Sequence, residues 1–389
     1  MNDGSILDKI MTSKHQEEMK QFQPAETISQ LLKYLNSKEE DVLRRRYGLT
    51  GREQETLEKI GELYNVTRER IRQIENIAIR KLREQDRFSD VVRPVEHTIS
   101  TILLQHGGVM SEGMLLENLL NFSSDSDLNR QSVEFILEKL LSDRIVRVIS
   151  NEKFLAGWRL HMTSLGFVES VVRELIAMMD EHHQPMKQPD LLEKFFTRPF
   201  HQQLDEPLDD RMVLSFVGLS RHIDMNPFEE YGLVRWGSIR PKRMNDKIYL
   251  ILKKASQPLH FEEITEQINK VGFDHRKAYA PTVHNELILN EQYVLVGRGI
   301  YALQEWGYKP GVVSDVLEVI LRNSTEPMTR DELVTVVLKQ RVVKKNTIHL
   351  ALTDRKRFQR LSDGRYTLAQ QPFATKEDVP TTPENDVEL

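Results

Sequence analysis

Apolar residues recur along this chain at two alternating periods, and the alternation divides it into parts. Between residues 57 and 83, Leu57, Ile60 and Leu63 or Tyr64 fall on one helical face, and Ile71, Ile74, Ala78 and Leu82 fall on another. The pattern predicts two amphipathic helices with a common core. Asn65 and Val66 separate them, and Asn tolerates the left-handed conformation that swings one helix across another. Gly61 keeps the crossing close, and Thr67 caps the second helix by accepting from a free backbone N–H. With the helix start set there, Arg68, Glu69, Arg72 and Gln73 share the face opposite Ile71 and Ile74.

Beyond residue 93 the chain repeats a pattern of helical periodicity closed by strand-like alternation. Three blocks end FLAGW (154–158), GLVRW (232–236) and IYALQEW (300–306), and a fourth ends GRYTL (364–368). All three tryptophans of the chain are used this way, separated by 236 − 158 = 78 and 306 − 236 = 70 residues. The third block predicts helices over 246–254, 261–270 and 280–290, then strands over 293–296 and 300–303 around a turn of Gly297, Arg298 and Gly299. The fourth predicts helices over 313–322, 329–340 and 346–353, then strands over 358–361 and 365–368.

Three helices plus a hairpin make a winged helix. The expected fold class is therefore mainly α with small β-hairpin wings: a helix-turn-helix domain followed by tandem winged-helix domains. The expected parts are a flexible arm at 1–24, the helix-turn-helix at 25–88, and winged-helix blocks at 93–160, 161–237, 240–308 and 311–369. A polar loop at 201–211 interrupts the second block, and 370–389 reads as a disordered acidic tail.

Composition narrows the function. The 389 residues, 39% of them hydrophobic, can bury several modest cores. With no cysteine there is no disulfide, no Cys-based zinc site and no thiol nucleophile, which suits a reducing, cytoplasmic setting. No apolar run reaches membrane-spanning length, and the first residues lack a basic-then-apolar signal, so a cytoplasmic, nucleoid-associated protein without membrane contact is expected. His182 and His183 have no ligand at helical i, i+4 spacing to complete a metal site. No phosphate loop, nucleophile elbow or carboxylate pair appears, so the chain reads as no enzyme, with no cofactor, metal or small-molecule substrate.

The net charge of −5 does not advertise a nucleic-acid binder. Local charge does: between 67 and 87, Arg68, Arg70, Arg72, Arg80, Lys81, Arg83 and Arg87 outnumber Glu69, Glu75, Glu84 and Asp86. On the face beginning at Arg68, Arg can be bidentate to guanine, Gln to adenine, and Glu can accept from the cytosine amino group, each pair discriminating by about 1–3 kcal/mol.

The run VLRRRYGLTGREQETLEKIGELYNVTRERIRQIENIAIRKLR, 42–83, resembles region 4 of bacterial sigma-70 family sigma factors, the part that reads the −35 promoter element. The resemblance implies double-stranded DNA as partner, base contacts from Arg68, Glu69, Arg72 and Gln73, and phosphate contacts near Thr56, Leu57, Thr67, Arg80 and Lys81. It also implies docking on the β flap of the RNA polymerase core through about 28–47. In that family an aromatic-rich helix opens the −10 element, and the first 24 residues here hold only Phe22. The expectation is a regulator that biases where polymerase starts without melting DNA by itself.

TVHNELILNEQYVLVGRGIYALQEWGY, 282–308, resembles the HARE-type helix-turn-helix domain, a winged-helix module also seen in the δ subunit of some bacterial RNA polymerases and in proteins linked to DNA modification and restriction. An alternative expectation follows, the DNA-binding module of a modification, restriction or defence system. The fourth block carries a basic cluster, and Lys344, Lys345, Arg355, Lys356 and Arg357 form a candidate secondary DNA patch. Tyr301, Trp306 and Tyr366 alternate with aliphatics at strand period and read as wing and core packing.

Overall fold

A computed structural model describes residues 22–121, 123–274, 276–308 and 311–369. The acidic tail and all of the expected arm but residues 22–24 lie outside the described residues. The chain divides into two compact units, 1–240 and 241–389.

The first unit opens with α1 (Pro24–Leu32), α2 (Ser37–Tyr47), α3 (Leu57–Tyr64) and α4 (Arg68–Arg83). A first block follows: α5 (Phe88–Gln105), β1 (Val109–Ser111), α6 (Glu112–Leu120), and α7 (Asp127–Phe135), which runs into a π-helical turn at Ile136–Leu140 before β2 (Ile145–Val148) and β3 (Gly157–Leu160). The second block repeats the order: α8 (Leu165–His182), β4 (Met186–Lys187), α9 (Gln188–Phe196), the short α10 (Pro199–Gln202), α11 (Asp210–Leu219), β5 (Ile223–Met225) and β6 (Glu230–Leu233). In both, the early strand pairs antiparallel with the last one, giving three-stranded sheets ordered β1-β3-β2 and β4-β6-β5.

The expected junction between the helix-turn-helix and the first block, at 88–93, lies inside the continuous α5. The two parts share a core: Ile28, Leu31, Leu32, Leu43, Ala78 and Leu82 pack in one cluster with Ile99, Leu103, Val133, Phe135 and Leu137. Phe22, expected in a loose arm, is buried there at 1% exposure, and Pro24 starts α1. Helix α1 lies against α5 and α7. The apolar face of α1 and α2 is wider than their own module can cover, and the first block supplies what is missing.

Helix α11 has the composition of a buried element. In DRMVLSFVGL every residue after Arg211 is at least half-buried, because apolar side chains point all round the helix. It packs on β1 of the first block, where the Ser215 hydroxyl donates to the Val109 carbonyl and Leu155 N donates to Leu219 O at 2.9 Å.

The second unit repeats the order twice more. It contains α12 (Met244–Ala255), β7 (Leu259–His260), α13 (Phe261–Val271), α14 (Ala280–Leu289), β8 (Tyr293–Gly297) and β9 (Ile300–Leu303), with sheet order β7-β9-β8. Then come α15 (Val313–Asn323), α16 (Arg330–Gln340), α17 (Lys345–Ala351), β10 (Phe358–Arg360) and β11 (Tyr366–Leu368), with Met328 bridging to Tyr366 in place of an early strand. These bounds follow the sequence periods closely. The tryptophans, however, serve two purposes: Trp158 sits inside β3 and is 3% exposed, whereas Trp236 and Trp306 follow the last strand of their blocks and are half-buried.

Candidate nucleic-acid interface

The helix-turn-helix is built as its sequence demands. Thr56 starts α3 by accepting from Lys59 N at 3.2 Å, and Thr67 starts α4 by accepting from Arg70 N at 3.3 Å. Asn65 ends α3 in the left-handed region at φ 51°. A Cβ on Gly61 would lie 2.7 Å from the Val66 carbonyl oxygen, so only glycine allows the chain to fold back this tightly. Val42, Ile60, Ile71 and Ile74 form the small core between α2, α3 and α4.

Opposite that core, Arg68, Glu69, Arg72 and Gln73 are all exposed. They are paired among themselves and with α3. Arg72 forks onto Glu69 at 2.8 and 2.7 Å, Arg68 donates to Glu58 at 2.7 Å, and Arg70 donates to Gln73 at 3.1 Å. The hydrogen bond from Arg72 holds the Glu69 carboxyl below its usual range, so it stays an acceptor. Exposed pairs of this kind are screened by solvent, so the face can open to a ligand at small cost.

The expected phosphate set divides by structure. Thr56 and Thr67 are exposed, and each hydroxyl that accepts from the backbone keeps its own proton to donate. The Leu57 side chain is half-buried against the core, which leaves its first-turn backbone N–H as the group to offer. Arg80 is exposed. Lys81 is engaged internally: its Nζ lies 2.5 Å from Oε1 of Glu39, whose side chain is 10% exposed. Burial pushes the Glu39 carboxyl up, but Lys81 and the bonds from Asn36 outweigh it and hold it below the usual value. Arg83, counted as local positive charge, is likewise bound, donating to Lys139 O at 2.7 Å and to the Ser142 hydroxyl at 2.6 Å.

Polar supports behind the helix escape a reading of its exposed face. Glu75 is 8% exposed and accepts from the Tyr47 hydroxyl, and the Tyr64 hydroxyl donates to Asp41 at 2.7 Å. Burial, reinforced by Glu75, pushes Tyr47 far above the ordinary phenol range; burial and Asp41 push Tyr64 up to about 12. Both phenols therefore remain protonated donors that fix α2 against α4 and α3. One signal was available: Glu75 falls four residues after Ile71, on the apolar stripe, where an acid needs a buried partner.

In the second unit, Lys344, Lys345, Arg355 and Lys356 are exposed. Arg357 differs, because it is 2.6 Å from Asp315 and 3.8 Å from Glu318. Its guanidinium pairs with α15 and is still exposed, as Arg72 is while paired with Glu69. Arg341, from the wider basic cluster, is 4% exposed and donates to the carbonyls of Leu295 and Gly311.

With this geometry in place, comparison with known proteins gives a bounded likeness. Residues 31–84 match the family model for sigma-70, region 4. Over 64 residues the chain is 55% identical to the RNA polymerase sigma factor SigA of Nostoc sp., and 56% identical to SigA1 of Synechococcus elongatus, each alignment covering 16% of this chain and 16% of the relative. It is 57% identical to SigA of Clostridium acetobutylicum over 61 residues, 15% of this chain and 16% of the relative. The chain thus spans about a sixth of the length of the curated relatives it matches.

Proposed function

We propose that this chain is a sigma-like transcription regulator whose head reads a −35-type promoter element in duplex DNA, in contact with RNA polymerase. On this reading α4 enters the major groove, with Arg68, Glu69, Arg72 and Gln73 toward base edges. Thr56, Thr67, Arg80 and the Leu57 backbone N–H lie along the phosphates. The observation that carries the reading is the exposure of the four-residue face at a firmly capped helix start, in the stretch most similar to sigma factors.

Two features refine it. The apolar side chains Ile28, Leu31, Leu32, Leu35 and Leu43 are buried in the core shared with the first block. Contact with the polymerase flap through this region would then use the exposed polar side, Ser29, Gln30, Lys33, Tyr34 and Lys38. The repeated order of helices and late hairpins supports winged-helix modules in all four blocks; the HARE type of the third rests on the resemblance of 282–308. The first block braces the head.

The test is DNA binding by the full chain over a salt series, on a −35-like duplex and a scrambled one. Arg72→Ala is expected to lose about tenfold in preference for the −35-like duplex, since one bidentate base contact is worth about 1–3 kcal/mol. Equal preference by wild type and variant would remove direct readout by α4.

A further inference from the structure

The second unit holds an apolar groove of about 600 Å³ that promoter reading does not use. Its walls come from β8, the segment before α15 and one face of α17. Leu295, Val312 and Leu350 line it and are 48%, 64% and 72% exposed, which is unusual for three large aliphatics on one concave surface. The groove is held in shape from beneath. Val342 N donates to Val296 O at 3.0 Å, and the buried Arg341 guanidinium ties the Leu295 carbonyl to the Gly311 carbonyl. Thr347, Leu350 and Ala351 recur at helical spacing along the wall made by α17, and Asp354 lines the groove just beyond its end.

Exposed cations line the groove or adjoin its lining residues in sequence. Arg298 lines the groove and is exposed, Lys344 lies one turn ahead of Thr347 at the start of α17, and Arg355 and Lys356 follow Asp354. Asp354, the one carboxylate among the lining residues, has an oxygen accepting from Lys356 N at 3.0 Å. DNA backbone recognition needs the cations but gains nothing from an aliphatic trough, because phosphates lose hydration there without a partner. An amphipathic helix with an apolar stripe and acidic flanks uses both features.

We infer that this groove is a docking site for an acidic amphipathic helix of a partner protein, whose aliphatic side chains seat against Leu295, Val312 and Leu350 and whose carboxylates meet Arg298, Lys344 and Arg355. The site is independent of the reading of the head.

The probe is a fluorescein-labelled peptide with Leu at i, i+3, i+4 and i+7 and Glu at outward positions, titrated with the full chain by anisotropy. A scrambled peptide of the same composition is the control. Saturable binding of the patterned peptide alone is expected, weakened about tenfold by Leu350→Glu and by Arg298→Glu. Leu104→Glu, at an exposed leucine of the first unit, leaves it unchanged. Both groove variants change exposed side chains, and circular dichroism checks that each is folded. Equal binding of the scrambled peptide, or sensitivity to Arg298→Glu without sensitivity to Leu350→Glu, would reduce the site to bulk charge and overturn the proposal. Displacement by random duplex DNA would assign the rim to nucleic acid and overturn it too. So would about tenfold tighter peptide binding by a chain ending at Ala369, since residues 370–389 would then be the occupant.

Discussion

Lys81 separates a phosphate contact from a structural one. Replacing it by Met keeps the aliphatic stem and removes only the charge that lies 2.5 Å from Glu39. Removing one partner of a fully buried pair costs about 3–5 kcal/mol, while an exposed pair is worth about 0–1 kcal/mol. Lys81 is 47% exposed and Glu39 10%, so an intermediate loss of about 1–2 kcal/mol is expected near neutral pH. The pH dependence follows from the Glu39 carboxyl, whose pKa is lowered from 4.5 in the folded wild type. Its stabilisation is present above 4.5 and is lost as pH falls through the lower folded value. In the variant, burial is opposed only by the Asn36 bonds, so the carboxyl titrates higher. The deficit is therefore largest at neutral pH and vanishes in acid, where both proteins hold a protonated Glu39. Urea denaturation from neutral pH down to about 3.5, a range that brackets the usual carboxylate titration, reads this directly. In parallel, the salt dependence of DNA binding should lose about one unit of slope in Arg80→Ala and none in Lys81→Met. A Lys81→Met protein as stable as wild type at neutral pH, with its salt slope reduced by about one, would refute the internal assignment.

Phe135→Ala removes a side chain 1% exposed in the core that joins the head to the first block; a loss of about 3–5 kcal/mol is expected. Hydrogen exchange should show α1, α2 and α7 losing protection together, and selective loss in α7 alone would contradict a shared core. Gly61→Ala forces a Cβ to 2.7 Å from the Val66 carbonyl, so the turn before α4 must open. The variant is expected to stay folded in the first block while DNA preference falls, measured by anisotropy on the −35-like and scrambled duplexes. Ser215→Ala leaves the buried Val109 carbonyl without its donor and should cost about 1–2 kcal/mol in urea denaturation.

How legible these features were depends on whether a residue's partner is near in sequence. The head declared itself because its determinants are local: a cap at Thr67, a left-handed Asn65, a close Gly61 and two apolar stripes within 28 residues counted from 56 to 83. The helices and hairpins of the second unit were legible for the same reason. Long-range pairings were not. Nothing in the periodicity of 24–32 announces that α7, a hundred residues later, will cover it, and a basic residue looks the same in sequence whether it faces water or Glu39. Lys81, expected at a phosphate, Arg83, counted as local positive charge, and Arg357, in the expected basic patch, each pair with a group distant in sequence. The expected junction at 88–93 lies inside α5, a helix whose apolar face packs into the core shared by head and first block.

Five helices hold the position that follows a helix and a turn, and they differ in what they expose. Helix α7 is covered by α1 and α2, and α11 by β1. Helix α14, APTVHNELIL, contains no Lys or Arg and exposes Ile288 and Leu289. Helix α17 starts with cations but turns its side toward an aliphatic groove. Helix α4 presents four exposed side chains of the kind that can hydrogen-bond to base edges, Arg68, Glu69, Arg72 and Gln73. If α4 reads DNA as proposed, four side chains would have to discriminate among about 10⁶–10⁹ competing sites. Linking the reader to a second contact on the same DNA raises its effective concentration without new base contacts. Polymerase engaged at the promoter would supply such a contact. A preference that is weak for the isolated chain and sharp beside polymerase is therefore what the exposure of α4, and the covering of α7 and α11, lead one to expect.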